Sequence, residues 1–175
     1  MVNFPQGKYR TIYIDPPWPE QGGGRIKRGA DRHYPLMSVK EIMALPVGDL
    51  ADPEGCHLYL WATNNYLPAA FECIKAWGFE YITTITWMKD KVGLGQYYRG
   101  ITEHCLFATT KKRLPYKIDG DKRCQGVTGF YEPKTIHSRK PIQMREMIEI
   151  VSYAPRIELF ARESHDDWDC WGNEV

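Results

Sequence analysis

The residues of this chain best suited to chemistry are Asp15-Pro16-Pro17-Trp18. They follow Tyr9–Ile14, whose β-branched and aromatic residues predict a strand. Two consecutive prolines have no N–H and fix φ near about −65°, so neither a strand nor a helix continues through them. At the carboxyl end of a strand, where α/β sheets bind ligands, the stretch offers a carboxylate, carbonyls outside any helix or ladder, and an indole face. These groups suit a flat base with an exocyclic amine, which Asp15 and a proline carbonyl bind while the indole stacks on the ring.

The alternative for the same residues is a plain turn after a strand, with Asp15 as a cap and Trp18 in the core. The aromatic residue and the apolar strand before it favour the site. The loop that follows, Glu20–His33, holds four glycines and four arginine or lysine residues. Its cations Arg25, Lys27 and Arg28 predict a mobile loop that grips a nucleic acid substrate.

The elements that must position this stretch alternate between strands and helices. A capping box at Ser38–Glu41 predicts a short helix to about Leu45, and helical periodicity predicts another from Asn64 to Trp77, ended by Gly78. Further strands are predicted at Cys56–Ala62, Phe79–Trp87, Glu103–Thr109, Val127–Glu132 and Arg156–Arg162, and a last helix at Pro141–Ser152. The alternation predicts an α/β sheet with helical crossovers.

Length and composition indicate one soluble domain over residues 1–175. The chain has 43% hydrophobic and 13% aromatic residues, values typical of a globular protein. It has no apolar run near the roughly 18–20 residues of a membrane span, and no signal-peptide pattern. Five cysteines without a C-x-x-C spacing predict free thiols in a reducing cytoplasm, and no spacing predicts a metal site.

The charge is unevenly distributed. The net charge is only +1, but ten lysines and arginines stand against three acids between Lys111 and Arg145. A basic stretch beside a base-shaped pocket predicts a track for phosphates, whereas a solvated loop is the alternative.

The motif, with several blocks that match in order, resembles the amino-group methyltransferases that use S-adenosylmethionine. Within them it is similar to the N6-adenine branch with Asp-Pro-Pro-Trp, which includes the catalytic subunit of the messenger-RNA adenosine methyltransferase. The resemblance runs from about Tyr9 to Glu174, and its other blocks are Glu103-His-Cys-Leu106, Ser138-Arg-Lys140-Pro141 and Gly172-Asn173-Glu174. It implies a Rossmann-like sheet with helices on both faces and a permuted order, with the catalytic strand first and the cofactor strand last. These two strands must be neighbours, which brings the chain termini close together.

The resemblance also implies the roles of single residues. The catalytic set is Asp15, Pro16, Pro17 and Trp18. The cofactor set is Lys140, Phe160, Arg162, Ser164, His165, Asn173 and Glu174. Tyr34, Glu103 and Ser138 are expected at the substrate base. Lys140 also stands at the start of a predicted helix, where the dipole disfavours a cation, and this indicates an anionic partner such as the cofactor carboxylate.

The chain departs from the family pattern at three places. Glu174 replaces a Gln, which is tolerable because Glu also accepts hydrogen bonds from ribose hydroxyls. Ala161 replaces a Gly, which bears on how closely the backbone approaches the cofactor. The Asp-Ile pair that precedes the first strand and grips the cofactor adenine is missing, so the residues from Asn3 to Gln6 are expected to take its place.

The resulting hypothesis is methylation of the exocyclic amine of adenine in nucleic acid, with S-adenosylmethionine as the donor. Small size favours DNA and a bacterial or phage source, with target recognition by the loops at 20–33 and 91–101 or by a partner. RNA adenosine and cytosine N4 are the alternative acceptors. A non-catalytic nucleic-acid-binding partner subunit is an alternative of another class, against which Asp15, Lys140 and Asn173 argue. Both a homodimer and a complex with a partner subunit are compatible with this pattern.

Overall fold

The computed structural model of the chain describes residues 3–19, 36–93, 95, 97–134 and 140–175. In these ranges the helices are α1 (Val39–Met43), α2 (Leu67–Ala76) and α3 (Ile142–Val151), with short 3-10 turns at Val47–Leu50 and Asn64–Tyr66. The strands are β1 (Thr11–Ile14), β2 (His57–Ala62), β3 (Phe79–Met88), β4 (Thr102–Thr110), β5 (Ile118–Asp119), β6 (Lys122–Arg123), β7 (Gly129–Tyr131), β8 (Arg156–Leu159) and β9 (Asp169–Trp171).

Seven of these strands form one sheet in the order β7-β3-β4-β2-β1-β8-β9, while β5 and β6 form a separate hairpin. The pairs β7–β3, β2–β1, β1–β8 and β8–β9 are parallel. Strand β4 runs antiparallel to both of its neighbours. Among the described strands of the sheet, six therefore end at one edge, and β4 begins there.

Helices cover both faces of the sheet because successive strand residues point to opposite sides. From β1, Ile12 and Ile14 pack into the core that contains residues of α1 and α2. Tyr13 packs on the other face, with Met144 and Ile148 of α3. The predicted Rossmann-like α/β fold is confirmed. In the part of the chain that the structure describes, no helix is both long and apolar enough to cross a membrane.

The local signals that set the helix ends act as predicted for α1 and α2. The Ser38 hydroxyl accepts from the Glu41 N–H at 3.2 Å, and the Glu41 carboxylate accepts from the Ser38 N–H at 2.7 Å. Gly78, just beyond α2, has φ 81°, which is the left-handed conformation that glycine adopts at little cost.

Helix α3 begins differently from the prediction, because Pro141 is its N-cap and lies in extended backbone. A proline offers no side-chain acceptor to the first turn. The carboxylate of Glu132, which follows β7, instead accepts from the N–H groups of Ile142 and Gln143 at 3.2 Å each. The cap therefore comes from the segment after β7 and not from the residue next to the helix.

The predicted neighbourhood of the catalytic and cofactor strands is confirmed. Residues 11–14 of β1 pair in parallel register with residues 156–159 of β8. The two ends of the described chain also meet, since the Trp171 indole N–H donates to the Asn3 carbonyl at 3.0 Å and the Phe4 ring lies 5.1 Å from the Trp171 ring.

A buried hydrogen-bond chain crosses the opposite end of the sheet. His57 Nε2 lies 2.8 Å from the Leu114 carbonyl and can only donate to it, so Nδ1 accepts from the Ser152 hydroxyl at 2.7 Å. Ser152 in turn accepts from the Tyr59 hydroxyl, also at 2.7 Å. These directions are those of the neutral ring. Burial lowers the pKa of His57, and the nearby Arg10 acts in the same direction.

The first prediction concerns this histidine and the pH dependence of stability. Because the folded pKa of His57 is lowered, the unfolded chain takes up a proton below about pH 6.5 that the folded chain does not. The free energy of unfolding should therefore fall as pH drops below about 6.5, with a slope of at most about 1.4 kcal/mol per pH unit for this one group. Urea unfolding between pH 8 and pH 5 measures the slope.

The matched controls separate titration from packing. His57→Gln should be less stable at pH 8, but its free energy of unfolding should no longer show the part of the pH dependence that His57 causes. Tyr59→Phe removes a hydroxyl from the same chain and leaves His57 titratable, so it should keep the slope. Equal slopes in the wild type and His57→Gln would show that His57 does not carry this pH dependence.

Candidate active site

The groups expected to do chemistry converge at the sheet edge where the strands end. Asp15 follows β1, Phe160 follows β8 and Lys89 follows β3. Glu103 reaches the same edge from the start of the antiparallel strand β4, where it pairs with Trp87 of β3. Lys140 precedes α3 and completes the group.

Four of these side chains form a continuous line of ion pairs. The Lys89 ammonium lies 2.8 Å from Glu103 Oε1, and the Lys140 ammonium lies 3.3 Å from Glu103 Oε2. Lys140 Nζ also donates to Asp15 Oδ2 at 2.7 Å. Each of the four side chains is at least three-quarters buried, with Asp15 the most exposed at 25%. We call Lys89, Glu103, Lys140 and Asp15 the charge chain.

The two carboxylates of the charge chain differ in proton affinity. Burial opposes the ionisation of Glu103, but the ammonium groups of Lys140 and Lys89 outweigh it and lower the pKa of Glu103 to about 2. Burial raises the pKa of Asp15, although Lys140 and Arg162 act in the opposite direction. Glu103 is therefore a fixed anion, whereas Asp15 is the more basic carboxylate and the better hydrogen-bond acceptor.

An aromatic wall supports the charge chain from the α3 side of the sheet. The Lys140 ammonium lies 5.3 Å from the centre of the Trp61 ring, and Lys89 lies 5.4 Å from that of Trp87. The Trp61 indole N–H donates to the Tyr13 hydroxyl at 2.6 Å, and that of Trp87 donates to the Glu132 carbonyl at 2.7 Å. The indoles are thereby held in place and exclude water beneath the two cations.

The Asp15-Pro16-Pro17-Trp18 stretch differs from the expectation in two respects. Trp18 does not offer an open face, because it is only 5% exposed and stacks on Tyr66 with ring centres 5.4 Å apart. Its indole N–H donates to the Trp61 carbonyl at 2.9 Å, so burial leaves no polar atom unsatisfied. Trp18 thus anchors the stretch in the core.

The proline carbonyls of the stretch are also already in use. The Pro16 carbonyl accepts from the Trp18 N–H at 2.8 Å, and the Pro17 carbonyl accepts from the Met37 N–H at 3.0 Å. A carbonyl oxygen has two lone pairs, so each retains capacity for a second donor.

A pocket opens beside Asp15 and is bordered by the charged ends of several elements. Its lining includes Asp15, Lys140, Glu158, Phe160, Arg162 and Glu163. Arg145 of α3 donates to Glu158 at 2.9 Å and lies 3.2 Å from His165 Nδ1. Burial raises the pKa of Glu158 although Arg145 opposes it. The pocket therefore presents both carboxylates and cations.

The turn after β8 shapes one side of this pocket. Phe160 has φ 62°, an uncommon left-handed conformation for a residue with a side chain. The next residue, Ala161, is buried, and its N–H donates to the Trp171 carbonyl at 3.0 Å. A Cβ at Gly172 would fall against the backbone of Ala161. The backbones of the turns after β8 and β9 therefore lie so close together that position 172 must be glycine.

The remaining expected cofactor residues follow the same two strands. Ser164, Asn173 and Glu174 are exposed, and His165 is partly buried near Glu158. The segment expected to replace the missing Asp-Ile pair lies next to them, because Phe4 contacts Trp171 and Trp171 contacts Phe160 at 5.2 Å. Tyr34, Ser138, Arg25, Lys27 and Arg28 lie outside the described residues.

The predicted phosphate track is wrong for its first part. Strand β4 is antiparallel, so Lys112 and Arg113 emerge at the edge away from Asp15. There Lys112 pairs with Glu54 at 2.6 Å and Arg113 lies 3.9 Å from Glu80. At the other end of the stretch, Lys134 lies near the charge chain and Lys140 belongs to it.

Two residues at the site were missed by the reasoning from sequence. Lys89 follows a predicted strand, and the carboxyl end of a strand was the available signal. Glu132 caps α3 across the site, and its role depends on a contact between distant segments that no local pattern reveals.

Comparison with known proteins places this geometry in a family. The sequence pattern of the MT-A70 family matches residues 9–174. The chain is 28% identical to "Type II methyltransferase M.MunI" of Mycoplasma sp, with 98% of this chain and 80% of that protein covered. It is 30% identical to "N6-methyladenosine RNA methyltransferase MTA1" of Cryphonectria parasitica, with coverage of 95% and 52%.

A human relative is also similar. The "N(6)-adenosine-methyltransferase catalytic subunit METTL3" of Homo sapiens is 28% identical, with 97% of this chain and 28% of that protein covered. The chain thus spans most of the bacterial relative and about half or less of the other two. The family expected from the Asp-Pro-Pro-Trp stretch is confirmed: this chain belongs to the MT-A70 family.

Proposed function

We propose that this protein transfers a methyl group from S-adenosylmethionine to the exocyclic N6 amine of adenine in nucleic acid, with DNA the favoured substrate. The observation that carries the proposal is Asp15, a buried basic carboxylate at the end of β1, held by Lys140 beside a charged pocket. The names of the fungal and human relatives refer to adenosine methylation, and the bacterial relative is named a type II methyltransferase.

The donor set of the pocket fits the proposed cofactor. The amino-acid end of S-adenosylmethionine carries an ammonium and a carboxylate, and the pocket offers Glu158 and Glu163 for the first and Arg162 and Lys140 for the second. Asn173 and Glu174, which follow β9, are the proposed partners of the ribose hydroxyls. When bound, the cofactor supplies a methyl group on a positively charged sulfur.

Asp15 is the centre of the proposed mechanism. The adenine amine is a poor nucleophile because its lone pair is delocalised into the ring. An N–H bond to the Asp15 carboxylate, and a second to the free lone pair of the Pro16 carbonyl, would localise that lone pair and aim it. Asp15 then stabilises the positive charge that develops on nitrogen, and it or water takes the proton.

The other members of the charge chain position Asp15. Lys140 bonds to one oxygen of Asp15 and leaves the other for the amine, while Glu103 holds Lys140 from the far side. Lys89 holds Glu103 in turn. A target base in a duplex must leave the stack to reach this edge, at a cost of a few kcal/mol.

The second prediction tests this positioning through Lys89. In Lys89→Met, Glu103 loses the Lys89 ammonium and draws the Lys140 ammonium away from Asp15. We expect the methylation rate to fall on the order of tenfold, equivalent to about 1.4 kcal/mol. The pKa of Asp15 should rise further, so the acidic limb of the pH–rate profile should move to higher pH.

Two variants control this experiment. Lys89→Arg keeps the cation and should restore most of the rate. Lys75→Met removes an exposed lysine whose partner is Glu72 on the same helix, and it should change nothing. A Lys89→Met enzyme with an unshifted acidic limb would mean that Lys89 does not act through Asp15.

The function itself is tested with S-adenosylmethionine labelled in its methyl group and matched DNA and RNA oligonucleotides, each single-stranded and double-stranded. We expect label in N6-methyladenine, identified by mass spectrometry after digestion, and more label in DNA than in RNA. Label in N4-methylcytosine would favour the alternative acceptor. Nucleic acid binding without calorimetric binding of S-adenosylmethionine would identify a non-catalytic partner subunit.

A further inference from the structure

Two neighbouring tyrosines are almost fully exposed beside the proposed active site. Tyr97 and Tyr98 are each 93% exposed, whereas Tyr13 and Tyr59 are buried in the core. They lie in the segment between β3 and β4, residues 89–101, which we call the arm; residues 94 and 96 are outside the described part of it. Large rings held in water lose the burial that normally stabilises them, and an exposed aromatic site commonly binds a partner.

The arm has a built stem that presents these rings. The Lys89 N–H donates to the Ile101 carbonyl at 2.8 Å, and the Gly93 N–H donates to the Gly100 carbonyl at 2.7 Å. The Arg99 side chain crosses the stem and donates to the Gly93 carbonyl at 2.9 Å. These bonds extend the β3–β4 hairpin past the sheet, so the tyrosines project from a defined base.

The base of the arm is part of the active site. It begins at Lys89 and ends one residue before β4, whose second residue is Glu103, so two members of the charge chain border it. Lys134 is tied to it, since its N–H donates to the Asp90 carboxylate at 2.8 Å. A ligand that reaches Asp15 from the β3 side must therefore pass the arm.

The charge around the arm selects the class of ligand. Lys91, Arg99 and Lys134 contribute three cations against the one carboxylate of Asp90, which accepts a backbone N–H. Burial lowers the pKa of Lys134, and the neighbouring cations Lys89, Lys140 and Lys91 act in the same direction while Glu103 opposes them. Exposed aromatic rings beside cations match unpaired bases on a phosphate backbone, since bases stack on aromatic side chains irrespective of sequence.

We propose that the arm binds the unpaired nucleotides next to the target adenine, with Tyr97 and Tyr98 stacking on bases and Lys91 and Lys134 contacting phosphates. This inference rests on the proposed function, because it names the surface by which the same site takes its nucleic acid. It assigns to the two tyrosines affinity for single-stranded or locally opened substrate, and no part in methyl transfer itself.

The test compares the double variant Tyr97→Ala/Tyr98→Ala with Tyr97→Phe/Tyr98→Phe by fluorescence anisotropy on a labelled single-stranded DNA oligonucleotide. The Ala variant should bind about ten- to a hundredfold more weakly, and the Phe variant should bind like the wild type, because stacking needs the ring and not the hydroxyl. Tyr81→Ala removes a tyrosine exposed at 43% elsewhere on β3 and should leave affinity unchanged.

Further readouts separate this proposal from the proposed function. The Ala variant should bind S-adenosylmethionine like the wild type by calorimetry, and should show a raised KM for the oligonucleotide with little change in kcat. Lys91→Ala/Lys134→Ala should reduce the salt dependence of binding by up to about 0.7 for each phosphate that the variant no longer binds. Absence of methyl transfer in the wild type would overturn the proposed function. The anisotropy comparison would still show whether Tyr97 and Tyr98 of the arm bind nucleotides.

Unchanged oligonucleotide affinity in the Ala variant would overturn the proposal. If that variant also shifted from dimer to monomer in analytical ultracentrifugation, the arm would be a contact between copies of this chain.

Discussion

Replacing Asp15 by Asn is expected to lower the rate of methyl transfer by about 10²–10³-fold while leaving the binding of S-adenosylmethionine intact. The amide retains an oxygen for the Lys140 ammonium, so the charge chain keeps its shape. It loses the negative charge that stabilises the cationic nitrogen, and charge-assisted hydrogen bonds are the strong ones. The loss should therefore appear in kcat.

Single-turnover methylation and calorimetry on the same preparation measure the two effects. Asp119→Asn makes the same chemical change on the exposed β5–β6 hairpin and should leave both measurements at the wild-type values. Activity of Asp15→Asn within a few-fold of the wild type would refute the assignment of Asp15 as the catalytic carboxylate.

Replacing Lys140 by Met is expected to have the second largest effect. Lys140 makes the ion pair and the hydrogen bond that hold down the pKa of Asp15, whose burial already raises it. Without this cation the carboxylate is protonated over a wider pH range, and a protonated Asp15 cannot stabilise the cationic nitrogen. We expect a loss of about 10²-fold near neutral pH, partly recovered at higher pH, with the acidic limb moved upward.

The pH profile of kcat separates two roles for Lys140. The sequence predicts a contact with the cofactor carboxylate, and the structure brings Lys140 to Asp15 and Glu103. Asn173→Ala, on the cofactor side, should weaken cofactor binding and leave the limb in place. A Lys140→Met enzyme that behaves in the same way as Asn173→Ala would show that Lys140 serves the cofactor alone.

The order of the elements and the place of the motif could be predicted because they depend on local chemistry. Prolines must end β1, a capping box must start α1, and Gly78 must follow α2. Once β1 and β8 are neighbours, Asp15 and Phe160 come to the same edge.

The direction of β4 could not be predicted in this way. Glu103 stands near the start of a strand, which in an all-parallel sheet would place it at the edge away from Asp15. It reaches Asp15 because β4 runs against β2 and β3. The same reversal carries Lys112 and Arg113 to the far edge, so a count of charges along the chain assigns them to the wrong place.

The orientation of Trp18 was equally beyond local reasoning. An indole after two prolines can point to solvent or to the core, and the local sequence is compatible with either orientation. The outcome depends on the Trp61 carbonyl, 43 residues away, which accepts the indole N–H and makes burial favourable. The hydrogen bond from Ile142 at the start of α3 to Glu132 and the ion pair of Lys89 with Glu103 also join separate elements, 10 and 14 residues apart in the chain.

The contact between Asn3 and Trp171 bears on how the protein can be engineered. Because the ends of the described chain touch beside the cofactor strand, a short linker can join them without spanning the sheet. A new opening between β6 and β7 then gives a circular permutant that is translated with β7, α3 and β8 first and β1 later. Its strand pairs would be unchanged, so a permutant that retains the fold would show that the order in which the strands are synthesised and the geometry around Asp15 are independent variables.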